Sequence, residues 1–217
     1  MRSRIVTITL VVGLGLMLVL LAARVSQVNL PGNQQGYEPV QPIAYSHRLH
    51  AGELQIACQY CHFGAETSRH AGVPPANVCM NCHKSVTASL GAVRAEDELA
   101  AKENRKPHRI TSPELQKLYD ALALDANLQP DTAKIAQPIT WNRIHALPAF
   151  VYFDHRAHIR ANVACQQCHG PVETMERVRQ VSDLSMGWCV NCHRDVNRTG
   201  VGGVRVNAST NCSACHF

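Results

Sequence analysis

Tyr45-Ser46-His47-Arg48-Leu49-His50, then Cys58-Gln59-Tyr60-Cys61-His62, then Cys79-Met80-Asn81-Cys82-His83 is the stretch on which the reading of this chain turns. It recurs as Phe153-Asp154-His155-Arg156-Ala157-His158, Cys165-Gln166-Gln167-Cys168-His169 and Cys189-Val190-Asn191-Cys192-His193. The joints agree too, since Gly64, Glu66 and Thr67 echo Gly170, Glu173 and Thr174. A repeat of this kind predicts two copies of one structural unit, arisen by duplication. A further Cys212-Ser213-Ala214-Cys215-His216 closes the chain, so one five-residue word, used five times, consumes all 10 cysteines.

Cys-x-x-Cys-His is the attachment word of c-type haem. Both thiols add to the vinyl groups of one porphyrin, and the adjoining histidine is held beneath the iron. The expected cofactor is five covalently bound haem c, with His62, His83, His169, His193 and His216 as proximal ligands. Other readings fit less well. Zinc sites pair such motifs in twos and would leave one over. Thioredoxin-like redox motifs come singly in a βαβ setting that this pattern lacks. A disulfide framework suits an exported chain but predicts varied spacings, not one repeated word.

Function then turns on the sixth coordination position, which permits ligand chemistry if open and leaves electron transfer if filled. Seven histidines lie outside the motifs. His47 and His155 recur in both copies ahead of a haem motif, and His50 and His158 recur three residues later. At that helical spacing two imidazoles project from neighbouring faces and can reach two irons. The pattern resembles the aromatic-x-His-x-x-His element of the c3 and c7 class of small multihaem cytochromes. That resemblance implies that the first histidine ligates the haem that follows and the second reaches a later one. His70 lacks a counterpart in the second copy, where Val178 follows Arg177. Met175 or Met186 could fill that gap and would raise the potential of its haem; simple packing is the competing reading for each. His145 is a further candidate ligand, whereas His108, between Pro107 and Arg109, reads as solvent-exposed. Candidates match or exceed five irons, which favours relay over catalysis.

The composition agrees. Aromatic content is 5%, thin for a chain building its own core, and porphyrin would replace the missing rings. The formal charge of +5 tempts a nucleic-acid reading, yet no Lys/Arg run carries interleaved aromatics. Five haems would also add about ten propionates, so no nucleic-acid partner is expected. Residues 1–4 carry Arg2 and Arg4, and 5–23 then run without a charge. A helix of that length just crosses about 30 Å of hydrocarbon, and the arginines would stay cytoplasmic. A cleaved signal peptide ending near Leu21-Ala22-Ala23 is the alternative. Either way the bulk of the chain lies outside the cytoplasm.

The expected organisation is a cytoplasmic 1–4, a transmembrane anchor 5–23, a Pro/Gly-rich linker 24–41 that lifts the domain off the membrane, and a first dihaem unit 42–83. A helical insert 84–149, a second dihaem unit 150–193 and a fifth-haem segment 194–217 follow. In the insert, Ser112-Pro113-Glu114 reads as a helix start, with Leu115, Leu118, Tyr119 and Leu122 as its apolar stripe. Residues 92–106, charged on most faces, read as a solvated helix or loop. The fold class is mostly irregular and α, a haem-packed domain behind a membrane helix.

The chain resembles the membrane-anchored pentahaem subunit of alternative complex III. The likeness rests on Tyr45-Ser46-His47-Arg48-Leu49-His50-Ala51-Gly52, Ser68-Arg69-His70-Ala71-Gly72-Val73-Pro74-Pro75, Trp141-Asn142-Arg143-Ile144-His145, Gly170-Pro171-Val172-Glu173 and Ser185-Met186-Gly187-Trp188-Cys189. It implies a periplasmic haem domain on the inner membrane, an integral-membrane quinol-binding subunit, an iron–sulfur subunit and a monohaem cytochrome c subunit. A soluble cytochrome c or blue copper protein would be the acceptor. A multihaem reductase of a small oxyanion, or a free-standing quinol dehydrogenase feeding a soluble reductase, are the alternatives. The first of these needs a five-coordinate haem.

Overall fold

A computed structural model describes residues 2–25 and 34–216. Met1, Phe217 and residues 26–33 of the expected linker lie outside them. The described chain is helices and irregular backbone, in this order: α1 (Arg2–Val25), α2 (Cys58–Cys61), α3 (Gly64–Thr67), α4 (Ala76–His83), α5 (Leu90–Lys102), α6 (Pro113–Ala121), α7 (His155–Arg160), α8 (Gln166–His169) and α9 (Met186–Thr199). A short π-helix, Arg48–Glu53, and two 3-10 turns, Val172–Thr174 and Cys212–Ala214, complete it. Among the described residues there are only isolated bridges and no sheet. The window Arg4–Ala22 in α1 is long and apolar enough to cross a membrane, and none of it is buried against the rest of the protein.

The insert is the part that builds a protein core of its own. The Ser112 hydroxyl accepts the Leu115 amide at 3.2 Å and Pro113 opens α6, satisfying an otherwise orphaned amide as the sequence predicts. Leu118 and Tyr119 on the expected stripe are buried. The Tyr119 hydroxyl donates to the His83 carbonyl at 2.6 Å, which ties the insert to the second cysteine motif.

The stretch 92–106 is largely exposed, as its charge pattern predicts, but part of one face is buried. It forms α5, capped by Ser89, and turns Glu96 and Ala100 inward. The Glu96 carboxylate accepts from Arg105 at 2.5 Å and from the His108 amide at 2.7 Å. Periodicity in charged residues hid this face, because its one inward carboxylate is neutralised by an arginine nine positions away.

Elsewhere buried apolar side chains are few. Among the described residues Ala65 and Met175 are the buried ones outside the insert, while Leu49, Leu54, Tyr60, Phe63, Val86 and Phe150 near the motifs are exposed. Main-chain contacts hold the motif-bearing segments together instead. The π-helix carrying His50 packs on the turn Val172–Thr174, and α3 packs on α7. The Arg48 amide donates to the Met175 carbonyl at 2.9 Å, and the His155 amide to the Arg69 carbonyl at 3.2 Å. Arg48 also pairs with Glu176 at 2.5 Å. The approach at Gly52 is so close that a Cβ there would collide with the Glu173 carbonyl, which is why the position is glycine.

Part of the expected linker is docked. The Gly36 amide donates to the Gln180 carbonyl at 2.8 Å, and the Gln180 amide to the Tyr37 carbonyl at 3.0 Å. Gln180 itself is 1% exposed. Gln41 and Asn142 exchange two further bonds, at 3.0 and 2.8 Å. At the other end of the chain, the Tyr152 amide donates to the Cys215 carbonyl at 2.8 Å, and Val151 bridges to His216.

The insert yields two expected outcomes. Hydrogen bonds from Arg105 and the His108 amide hold the Glu96 carboxyl at about 2, below its unfolded range. That contribution is present above about pH 4.5 and is lost as pH falls toward 2. Glu96→Gln should therefore lower the thermal midpoint at pH 7 and flatten its acid limb, read by circular dichroism melts across that window. Leu118→Ala should cost the insert about 2–5 kcal/mol by the same measurement.

Candidate functional site

Each Cys-x-x-Cys-His word is a single helical turn, and that is what makes it an attachment device. The His62 amide bonds the Cys58 carbonyl at 2.9 Å, His169 bonds Cys165 at 3.0 Å and His216 bonds Cys212 at 2.9 Å. The other two words lie inside α4 and α9. Residues three and four apart share one face of such a turn, so Cys58 and Cys61 stand with His62. The same holds for Cys79, Cys82 and His83; Cys165, Cys168 and His169; Cys189, Cys192 and His193; and Cys212, Cys215 and His216.

None of the 10 cysteines is in a disulfide. Among the described residues no three His, Cys, Asp or Glu side chains gather as a metal cluster, so the tetrahedral zinc reading has no geometry behind it. Burial raises the thiols of Cys61, Cys79, Cys165 and Cys189, and pushes Cys168 up to about 11. Redox-active and zinc-binding thiols need the opposite shift.

The histidines are aimed. Nδ1 of His62 lies 2.7 Å from the Gly72 carbonyl, that of His83 2.7 Å from Val86 and that of His193 2.5 Å from Ser209. His50 bonds the Ser46 carbonyl at 2.8 Å, His158 that of Asp154 at 2.9 Å and His155 that of Arg69 at 3.0 Å. A carbonyl can only accept, so Nδ1 carries the proton and Nε2 keeps a free lone pair. This is the usual support for a metal-binding imidazole.

Spacing gives a second test. Two imidazoles bound at roughly 2 Å on opposite faces of one iron have ring centres about 6 Å apart. His50 and His83 are 6.1 Å apart, His158 and His193 6.1 Å, and His155 and His169 6.5 Å with planes 7° from parallel. His47 lies beside His62. The donor set and its spacings fit haem iron.

Aromatic rings steer these histidines. Tyr45 stacks on His50 at 4.4 Å and meets His47 edge-on at 4.8 Å. Phe153 repeats this on His158 at 4.7 Å and His155 at 4.8 Å. Burial, then neighbouring His62 and His50, lowers His47 to about 4; burial, then His145, His155, His62 and His47, takes His169 to about 4. Both stay neutral near pH 7, the form that ligates.

The remaining candidates divide. His145 is lowered by burial, has its Nε2 buried without a hydrogen bond, and meets His169 edge-on at 4.3 Å. That is too close for an opposite-face partner of the same iron. His70 and His108 are exposed. Met175 is 8% exposed, with its carbonyl committed to Arg48; Met186, 70% exposed, opens α9 just ahead of Cys189.

Sequence reasoning missed Arg69. Its carbonyl takes both the amide and Nδ1 of His155. Its guanidinium donates to the Phe153 carbonyl at 2.9 Å and lies 4.2 Å over the Tyr152 ring. Its residue type does not flag it, since the bonds to His155 are made by its backbone carbonyl.

Residues 151–217 match the family model for cytochrome c7 and related cytochrome c. The chain is also 24% identical over 198 residues, 81% of its length and 76% of the relative's, to the menaquinone reductase, multiheme cytochrome c subunit, of Nitratidesulfovibrio vulgaris. The carboxy-terminal third is thus cytochrome c7-like, and a multihaem c-type likeness in a chain with 10 cysteines implies covalent haem c.

Taken as opposite-face pairs, these geometries make His47→Ala and His155→Ala each convert one haem to high spin while leaving all attachments intact. Electron paramagnetic resonance of the oxidised variants, with intact mass for haem count, reads this. A fully low-spin spectrum in either variant contradicts the pairing.

Proposed function

We propose that this chain is a pentahaem electron relay, anchored in the inner membrane, within a quinol-oxidising complex of the alternative complex III type. The observation that carries the proposal is the pairing of His50 with His83 and of His158 with His193, both at 6.1 Å. Two carbonyl-locked imidazoles at that separation close an iron to substrates and leave it open to electrons. Bound there, haem c supplies an iron that accepts and releases one electron at a time.

The chain's own residues do the holding. Ten cysteines anchor five haems; His62, His83, His169, His193 and His216 serve as proximal ligands. His47, His50, His155 and His158 take the opposite faces of four irons, and the fifth falls to His70, His145, Met175 or Met186. Residues 42–83 and 150–193 form two duplicated dihaem units, and 194–217 carry the last haem. Tyr45 and Phe153 set the planes of the paired imidazoles and shield them from water. Surrounding carbonyls keep Nε2 unprotonated in His50, His62, His83, His155, His158 and His193.

The anchor is 5–23, with the haem domain on the periplasmic side. Quinol chemistry belongs to an integral-membrane partner, which an iron–sulfur subunit and a monohaem cytochrome c subunit accompany. Electrons leave to a soluble cytochrome c or blue copper protein. The named role of the Nitratidesulfovibrio vulgaris relative, a subunit of a menaquinone reductase, supports a quinone-linked membrane setting.

Purification in mild detergent provides the test. The chain should emerge with its membrane and iron–sulfur partners, show five haem masses above the bare polypeptide, and keep its spectrum on adding nitrite or cyanide. Emerging alone as a quinol oxidase, or binding those anions, defeats the proposal.

A further inference from the structure

We infer that the two copies face each other across a pseudo-two-fold axis passing between Cys58 and Cys165, so that electrons visit the motifs in the spatial order 2–1–3–4–5. This rests on the five-haem reading above and adds the wiring to it.

The first argument is reciprocity. The π-helix of the first His-x-x-His segment packs on the turn after motif 3, and α7 of the second packs on α3, which follows motif 1. Hydrogen bonds repeat the exchange, Arg48 to Met175 in one direction and His155 to Arg69 in the other. Each copy thus packs its ligand-bearing helix against the turn that follows the other's first motif. That is the mark of a self-complementary, two-fold contact.

The second argument is self-contact. Residues on a two-fold axis meet their own equivalents, and Cys58 and Cys165, the first cysteine of each copy's first motif, lie next to each other. Glycine at position 52, pressed on the Glu173 carbonyl, keeps the two copies this close.

The outer links follow. Asn81 of motif 2 donates to the Tyr60 hydroxyl of motif 1 at 3.0 Å. On the other side α7 joins motifs 3 and 4, since its His155 ring lies 6.5 Å from His169 and its His158 ring 6.1 Å from His193. Beyond it, Nδ1 of His193 lies 2.5 Å from the Ser209 carbonyl, and Asn197 exchanges two bonds with Ala208 at 2.8 and 2.7 Å on the approach to motif 5. The two copies give a palindrome, 2–1 facing 3–4, and motif 5 extends it on one side. The path therefore has two unlike ends: motif 2, against the insert through Tyr119, and motif 5. At each hop one electron leaves a reduced iron for its oxidised neighbour, with no bond made or broken.

The test uses the oxidised full-length, haem-loaded chain and three variants: Cys58→Ala/Cys61→Ala, Cys79→Ala/Cys82→Ala and Cys212→Ala/Cys215→Ala. Intact mass must show one haem fewer in each. Electron paramagnetic resonance then reports haem–haem coupling. Loss of motif 1 should sharpen two of the four remaining signals, and loss of motif 2 or motif 5 only one. Sharpening of one signal or none in the motif 1 variant, or of two in the motif 5 variant, overturns the order. Should a variant fail to accumulate, an electron cryomicroscopy map of the unaltered protein decides. The haem on motif 1 must then have those on motifs 2 and 3 as its two nearest neighbours, and any other pair overturns the order. Fewer than five haem masses in the unaltered protein would instead sink the relay reading itself, so the two failures are distinct.

Discussion

An imidazole whose Nδ1–H is tied to a backbone carbonyl has only Nε2 to offer, and six histidines here are tied in that way. The rest of the architecture serves that constraint. Four of the carbonyls, those of Arg69, Gly72, Val86 and Ser209, come from loops and bends, and two, those of Ser46 and Asp154, from residues leading into the helices that bear His50 and His158. The motif-bearing helices are accordingly short, apart from α9, which carries the fourth motif.

Much of this was legible in the residues. The repeated attachment word, the paired histidines, the apolar amino-terminal helix and the Ser112 cap each have a local signature, since spacing along the chain sets spacing in space over a turn or two. What escaped is long-range. Arg69 acts on His155 through a carbonyl, and any residue has one. Gln180 looks like a loop glutamine until Gly36 and Tyr37 bracket it. The buried side of α5 was masked because Glu96 faces inward only in company with Arg105. Which histidine faces which motif was likewise open, and only spacing through space separates His145 from His155 beside His169.

The distribution of apolar side chains carries the same logic into energetics. Leu118 and Tyr119 let the insert stand on ordinary burial, whereas the motif-bearing segments hold large side chains such as Tyr60, Phe63 and Phe150 toward the surface. Exposed rings grouped around attachment points are surfaces for porphyrin to cover, each worth roughly 25 cal/mol per Å² removed from water. Attached haem would thus bury surface that these segments leave exposed on their own.

The clamp between Gly36, Tyr37 and Gln180 has a mechanical consequence. It fixes Gly36 to the domain, so eleven residue steps separate that point from Val25, the last residue of α1. Even pulled straight, that many steps span about 40 Å. In a membrane-anchored chain the domain is thus confined to a shallow layer above the lipid, where a partner's docking face is met by pivoting rather than by diffusion through the surrounding space.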